Sequence, residues 1–203
     1  KDYCYFRLDE KSPDGMFTFH GMKIDLKTNA VSDCCEFANL GYMIGKDRLI
    51  CRDIQDYDAD TNTGNSKYYE CSLEGEKRRE ITEKDYSALD FDTYIAMMDD
   101  EYVYLADMNM GGWEVPAEQR YIYVYTYDGE LTAKIPTGDF TMAVSFLAGN
   151  EKYLLIYDIN EEGEKGKEYL YYVVDKSQFK NGAEVKAREI IRAPLEDYTG
   201  FSY

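Results

Sequence analysis

An acidic stretch in the first half of the chain has the residue types that bind a hard cation. It reads Asp56-Tyr57-Asp58-Ala59-Asp60-Thr61-Asn62-Thr63-Gly64, with oxygen-bearing side chains at alternating positions. Calcium takes about six to eight oxygen ligands, and closely spaced carboxylates and amides can supply them. The sequence therefore predicts a Ca²⁺ site whose ligands are Asp56, Asp58, Asp60 and Asn62. A solvated acidic loop held in shape by Asx turns is the alternative.

A second candidate residue is Trp113, the only tryptophan of the chain. It follows two glycines in the stretch Met110-Gly111-Gly112-Trp113-Glu114-Val115-Pro116. An exposed indole in such a loop can stack on a sugar ring or anchor a protein partner. Trp113 is therefore predicted to bind a ligand, with a ring folded down onto its own sheet as the alternative.

Catalytic patterns are missing from the sequence. The single histidine, His20, excludes most Ser-His-Asp, Cys-His and histidine-ligated zinc schemes. The chain has no Gly-x-Ser-x-Gly elbow and no phosphate-binding glycine loop, and its cysteine spacings form no zinc knuckle. The 40 acidic residues offer many carboxylate pairs, but nothing indicates one pair for glycosidase chemistry. We therefore expect a protein that is not an enzyme.

Composition restricts the partners. The formal charge is −17, and the 23 basic residues are too few to expect binding to nucleic acid or to an anionic membrane surface. No apolar run approaches the ~20 residues of a membrane span. The hydrophobic share of 44% supports a folded core. The five cysteines cannot all pair internally, and Cys51 and Cys71 are predicted either to form a disulfide across two strands or to be buried thiols.

Repeated signals along the chain indicate the elements that position these residues. Four tight-turn signals lie about fifty residues apart, at Thr28-Asn29, Glu74-Gly75, Asp128-Gly129 and Asn181-Gly182. The Asp-Gly and Asn-Gly pairs among them suit type I′ geometry. Upstream of each turn an apolar run ends in an aspartate: Asp9, Asp53, Asp107 and Asp158. These aspartates are predicted to close their strands by accepting backbone N–H groups, and a ring of carboxylates is the alternative.

The repeat unit is predicted to be four antiparallel strands, A to D. In Tyr121 to Tyr127 the odd positions are all tyrosine and the even positions are apolar or β-branched, so both faces of the strand should be packed. The first repeat lacks strand A. Residues Lys77 to Leu89 could alternatively form a short helix.

Four-stranded meanders that repeat every 40–50 residues and are packed on both faces are typical of β-propeller blades. The run Tyr123-Val124-Tyr125-Thr126-Tyr127-Asp128-Gly129-Glu130 and its echo at Tyr69 to Glu76 resemble the strand and turn of bacterial TolB-like and NHL-like propeller repeats. We expect an all-β propeller with blades at 1–34, 35–84, 91–138 and 141–192. Residues 193–203 would close a four-bladed ring or begin the next blade of a larger one.

The connections between strands B and C are predicted to be long loops on one end of the propeller, at 10–15, 54–66, 108–119 and 160–167. Such an end suits a non-catalytic, secreted or cell-surface bacterial module that binds a glycan, peptide or protein. Because no signal sequence begins the chain, we expect a mature or trimmed form. The alternative function is the propeller domain of a larger hydrolase or other enzyme whose catalytic residues lie outside this chain.

Overall fold

A computed structural model of the chain describes residues 3–11, 17–35, 42–45, 48–58, 63–72, 76–90, 93–107, 116, 119–137, 145–163 and 166–194. The regular structure of these residues is β-strand, with a 3-10 turn at Lys176–Gln178, so the predicted all-β class is confirmed. The chain divides into two compact units, Lys1–Thr82 and Glu83–Tyr203.

The described residues of the first unit form two antiparallel sheets. Sheet 1 has the strand order β1-β2-β3, and sheet 2 has the order β4-β5-β6-β7. The strands are β1 (Tyr3–Lys11), β2 (Phe17–Asp25), β3 (Val31–Cys35), β4 (Tyr42–Gly45), β5 (Arg48–Asp58), β6 (Thr63–Cys71) and β7 (Lys77–Ile81). The helix considered for residues 77–89 is therefore wrong at its start, where β7 pairs with β6.

Two sheets are likewise formed by the part of the second unit that the structure describes. Its strands are β8 (Thr93–Met98), β9 (Tyr102–Asp107), β10 (Tyr121–Thr126), β11 (Leu131–Pro136), β12 (Ser145–Gly149), β13 (Tyr153–Gly163), β14 (Gly166–Asp175), β15 (Ala183–Glu184) and β16 (Arg188–Pro194). Sheet 3 has the order β15-β11-β10-β9-β8, and sheet 4 has the order β12-β13-β14-β16. Apart from the short β15, each sheet is a meander of consecutive antiparallel strands.

The fourth repeat departs from the prediction at its last strand. An antiparallel fourth strand is predicted to follow the Asn181-Gly182 turn, but residues 183–184 pair in parallel with β11 and the outer strand begins only at Arg188. The N–H of Gly182 donates to the carbonyl of Thr132 at 3.0 Å, and the N–H of Val185 donates to that of Lys134 at 2.9 Å. The backbone between β14 and β16 therefore links sheet 4 to sheet 3.

Most of the predicted B–C loops are β-hairpins in the structure. Strand β5 continues through Asp58 and pairs with β6 from Thr63, and β13 continues through Gly163 and pairs with β14 from Gly166. The loop prediction fails because ladder pairing satisfies backbone N–H and C=O groups even where the side chains are polar. These paired arms extend past the neighbouring strands of their sheets. The connection between β9 and β10, residues 108–120, stays long.

The turn at Asp128-Gly129 is not of type I′, because only Gly129 has a positive φ, +83°. The N–H of Gly129 donates to the carbonyl of Thr126 at 3.1 Å, and the β10–β11 register shifts nearby. This geometry is a three-residue loop that ends in a left-handed glycine. At Thr28-Asn29, too, only the second residue has a positive φ.

The turn at Asn181-Gly182 has the predicted type I′ conformation. Both residues have positive φ, 55° and 68°, and the N–H of Ala183 donates to the carbonyl of Lys180 at 3.0 Å. Glu74-Gly75 lies outside the described residues.

Sheets 3 and 4 share one hydrophobic core. In β10, Ile122 and Val124 are fully buried on one face, while Tyr121 and Tyr123 are half-buried on the other, which confirms the predicted filling of both faces. Each fully buried aliphatic side chain contributes about 1.5–3 kcal/mol. The core combines residues of both sheets: Tyr104, Ala106, Ile122, Val124, Ala133, Ile135, Leu154, Ile156, Leu170, Tyr172, Val174, Phe179 and Val185.

Candidate functional site

The predicted ligand residues lie mainly outside the described part of the chain. Trp113, Asp60 and Asn62 are not described, and Asp56 and Asp58 are placed only as backbone positions on β5. Within the described residues no group of three or more histidine, cysteine, aspartate or glutamate side chains is arranged to hold a metal ion. The Ca²⁺ site at the tip of the β5–β6 hairpin and the role of Trp113 therefore stay predictions.

Calcium removal tests the predicted metal site directly. If Asp56, Asp58, Asp60 and Asn62 bind Ca²⁺ tightly, a melting scan in EGTA should show a lower Tm than a scan in excess Ca²⁺, because the ion binds only the folded hairpin. At a Ca²⁺ concentration 100 times the Kd, the stabilisation is about 2.7 kcal/mol. Equal melting temperatures in the wild type would contradict a tight structural site.

The repeated aspartates do not close their strands as predicted, except at one position. Asp107 is the last residue of β9, whereas Asp9, Asp53 and Asp158 lie inside strands and pair with residues of the neighbouring strand. The prediction fails because each hairpin continues past its aspartate. Asp158 is fully buried opposite Leu170, so its carboxylate does not open a loop.

The best-defined polar cluster is one that the sequence did not indicate. We call Asp99, Lys176, Tyr102, Tyr104 and Tyr127 the Asp99 cluster. Nζ of Lys176 lies 2.5 Å from Oδ2 of Asp99, and the two side chains are only 3% and 8% exposed. The hydroxyl of Tyr104 donates to the same Oδ2 at 2.6 Å, and that of Tyr127 donates to the Asp99 carbonyl. The ion pair joins the β8–β9 turn of sheet 3 to the end of β14 in sheet 4.

Local backbone geometry fixes the Asp99 carboxylate. Its Oδ1 accepts the N–H groups of Glu101 and Tyr102 at 2.9 and 3.0 Å, and the Asp99 N–H donates to the Tyr102 carbonyl. One carboxylate oxygen thus holds the turn, and the other faces Lys176. A Cβ at Gly149 would lie 2.9 Å from Oδ2, so the glycine of β12 leaves room for the carboxylate.

Lys176 is held just as firmly from the sheet 4 side. Its N–H donates to the Lys152 carbonyl at 2.9 Å, and its carbonyl accepts the N–H of Phe179 at 3.0 Å. Its Nζ lies 5.6 Å from the centre of the Tyr102 ring, which packs edge-on against Phe179 at 5.3 Å. The ammonium group therefore has a carboxylate and an aromatic face as neighbours, which is a favourable arrangement for a desolvated cation.

Burial also sets the protonation of the tyrosines in the Asp99 cluster. Burial, and secondarily the Asp99 carboxylate, raise the pKa of Tyr104 far above its ordinary value of 10.0. Burial raises the pKa of Tyr102 as well, with smaller contributions from Glu101 and Asp99. Tyr104 consequently stays a neutral hydrogen-bond donor at physiological pH. The cluster is a buried link between two sheets, with its charged groups engaged by protein atoms.

A comparison of two repeats could have located Asp99. Asn150 occupies the equivalent turn of sheet 4, where its Oδ1 accepts the N–H groups of Lys152 and Tyr153, both at 2.8 Å. Asp99 and Asn150 each lie eight residues before one of the repeated aspartates, Asp107 and Asp158. Lys176 has no comparable signal, because it is 77 residues away from its partner.

The opposite end of sheet 4 carries acidic and aromatic side chains at the base of the β13–β14 arm. Asp158 and Glu168 are 0% and 5% exposed, and Oε2 of Glu168 lies 3.3 Å from Nη1 of Arg192. On the other face the rings of Tyr157, Tyr169 and Tyr171 pack together with centres 5.8–6.3 Å apart. The tyrosines described here pack mainly on one another and on the sheet, as the alternating pattern predicts.

Comparison of the sequence with models of known protein families gives no match, and comparison with curated proteins gives no relative. No helix in the described part of the chain is long and apolar enough to cross a bilayer. The function must therefore be argued from the sheets and their ends.

Proposed function

We propose that the four sheets are blades of a β-propeller that acts as a non-catalytic binding module. The observation that carries this proposal is the packing of sheets 3 and 4, which are successive meanders that share one core between their faces. Stacked meanders of about four strands are the building principle of propellers. The Asp99 cluster and the β11–β15 pairing add a polar link and a backbone link between the same two sheets.

The two ends of the sheets differ, and we assign a structural role to one and ligand binding to the other. The β8–β9 and β10–β11 turns leave sheet 3 at one end, where the Asp99 cluster is buried. The long connection between β9 and β10 leaves at the other end and contains Trp113. Within sheets 1, 2 and 4, the hairpin arms β1–β2, β5–β6 and β13–β14 mark the corresponding ends. We place the ligand at this B–C end, because binding residues tend to lie on the connections that a rigid scaffold positions, and the connection that contains Trp113 is long.

The ligand class that fits best is a glycan, peptide or protein met outside a bacterial cell. The charge of −17 disfavours polyanions, and an indole beside two glycines suits stacking on a sugar ring or insertion into a protein pocket.

Truncation of Trp113 tests the proposal. After a ligand has been identified on a glycan array or peptide library, Trp113→Ala should weaken its binding at least 30-fold, because a central aromatic anchor contributes about 2 kcal/mol or more. The matched control is Tyr153→Ala, which removes an aromatic residue that is 47% exposed at the opposite end of sheet 4. Equal affinity of the wild type and Trp113→Ala would show that Trp113 does not bind the ligand. Loss of binding only in Tyr153→Ala would contradict the proposal, because it would place the ligand at the end of the sheets opposite the B–C end.

A further inference from the structure

Two buried cysteines of sheet 2 lie in direct contact. Cys51 and Cys71 are both 0% exposed, and their Sγ atoms are 3.5 Å apart. Leu49 pairs with Cys71 and Cys51 pairs with Tyr69, so the cysteines are diagonal neighbours on one face of β5 and β6. The distance is that of a thiol–thiol contact, since a disulfide has an S–S bond of about 2.05 Å.

Formation of a disulfide requires the two sulfurs to approach further, and the backbone of β6 is irregular at Cys71 on its β7 side. The sulfurs must move roughly 1.5 Å closer to bond. The β6–β7 register shifts between Glu70 and Cys71, so Cys71 lies at a bulge on the side of β7, whereas its pairing with β5 opposite Leu49 is regular. A bulged strand already bends locally, so a further adjustment of Cys71 meets an interrupted ladder on the β7 side.

We propose that Cys51 and Cys71 are a peroxide-responsive pair that interconverts between two thiols and one disulfide. One thiolate attacks the O–O bond of hydrogen peroxide, giving a sulfenic acid and hydroxide, which takes up the proton released by the thiol. The second thiol attacks the sulfenic sulfur, the S–S bond forms, and the hydroxyl leaves as water. The two sulfurs are oxidised, one peroxide is reduced to two waters, and an external dithiol reverses the change.

Burial determines the order of events. Because neither sulfur is exposed, the first step requires a brief local opening of sheet 2, so the pair reacts more slowly than the exposed Cys4. Once a sulfenic acid has formed, the second thiol is adjacent and water is largely excluded. Intramolecular attack is then much faster than further oxidation by a second peroxide molecule.

Peptide mapping of the full chain tests the proposal, because trypsin places the cysteines on separate peptides. Cys51 lies on Leu49–Arg52 and Cys71 on Tyr68–Lys77, while Cys4 lies on Asp2–Arg7 and Cys34 and Cys35 lie together on Thr28–Lys46. After peroxide treatment and alkylation under unfolding conditions, the Cys51 and Cys71 peptides should be found linked. The mass of the linked species should be lower by two hydrogen atoms than the summed masses of the two peptides with free thiols. Dithiothreitol should return both to the alkylated form.

Two variants sharpen the test. A chain with Cys4→Ser, Cys34→Ser and Cys35→Ser should form the same link, which excludes exchange with the other cysteines. In Cys71→Ala, Cys51 should accumulate a sulfenic acid that dimedone traps, whereas the wild type should show none. The proposal fails if Cys51 and Cys71 stay fully alkylatable when peroxide treatment is continued long after Cys4 is completely oxidised, or if they link only to other cysteines. Should Cys71→Ala not fold, the triple variant decides alone.

Discussion

Replacement of Lys176 by methionine is expected to destabilise the second unit by about 3–5 kcal/mol. The substitution keeps most of the side-chain volume but removes the ammonium group that lies 2.5 Å from the Asp99 carboxylate. Because Asp99 is 8% exposed, its charge would then be buried without its cation. The loss can be measured by urea unfolding followed by the fluorescence of Trp113, the only tryptophan, which lies in this unit.

The control and the double variant separate charge from packing. Lys152→Met removes the same charge from an exposed neighbour in the same unit and should change stability by no more than about 0.5 kcal/mol. Asp99→Asn alone should be costly, because Lys176 would then be buried without a carboxylate. The double variant Asp99→Asn/Lys176→Met should recover most of the loss, since Asn150 shows that asparagine holds the equivalent turn.

A result in which each single variant loses less than about 1 kcal/mol would contradict the argument, because surface ion pairs typically contribute only that much. A loss in the double variant equal to the sum of the two single losses would also contradict the argument that Asp99 and Lys176 form a coupled ion pair. It would mean that Asp99 and Lys176 stabilise the unit through separate neighbours rather than through each other.

The elements that could be predicted from the sequence are those set by short-range patterns. Alternation of tyrosine and apolar residues at Tyr121 to Tyr127 gives β10, and the pair Asn181-Gly182 gives a type I′ turn, because only a few residue types accept positive φ at low cost. Short-range patterns also explain why the sequence predicts loops where the structure has the hairpin arms. Residues around Asp56 and Asn160 have low strand propensity, but a paired partner strand overrides propensity.

The Asp99 cluster shows why site prediction is harder than element prediction. Asp99 is visible only when two repeats are aligned on their turns, and its partner Lys176 belongs to the next repeat. Nothing near Lys176 in the sequence distinguishes it from an exposed lysine, since its burial depends on how sheet 4 packs against sheet 3. The candidate residues Trp113, Asp60 and Asn62 lie beyond the described residues, so they remain predictions from residue type and spacing.

Gly129→Ala is expected to destabilise the second unit by about 2–4 kcal/mol, for two independent reasons. Gly129 has a φ of +83°, which an alanine adopts only at a cost of about 1–2 kcal/mol. In addition, a Cβ at this position would lie 2.3 Å from the carbonyl oxygen of Asp85. That oxygen belongs to the backbone, so the β10–β11 turn or the segment around Asp85 would have to move. Urea unfolding followed by Trp113 fluorescence measures the loss.

Gly182 separates the two contributions within the same unit. It also has a positive φ, +68°, but a Cβ there would meet only the Leu131 side chain, at an ordinary 3.6 Å. Gly182→Ala should therefore cost only the conformational strain, about 1–2 kcal/mol. Asparagine, which already takes positive φ at Asn29 and Asn181, should be nearly neutral at position 182 yet still costly at 129. If each substitution lowers the free energy of unfolding by the same amount at position 129 as at position 182, the close approach of Asp85 to the turn does not constrain residue 129.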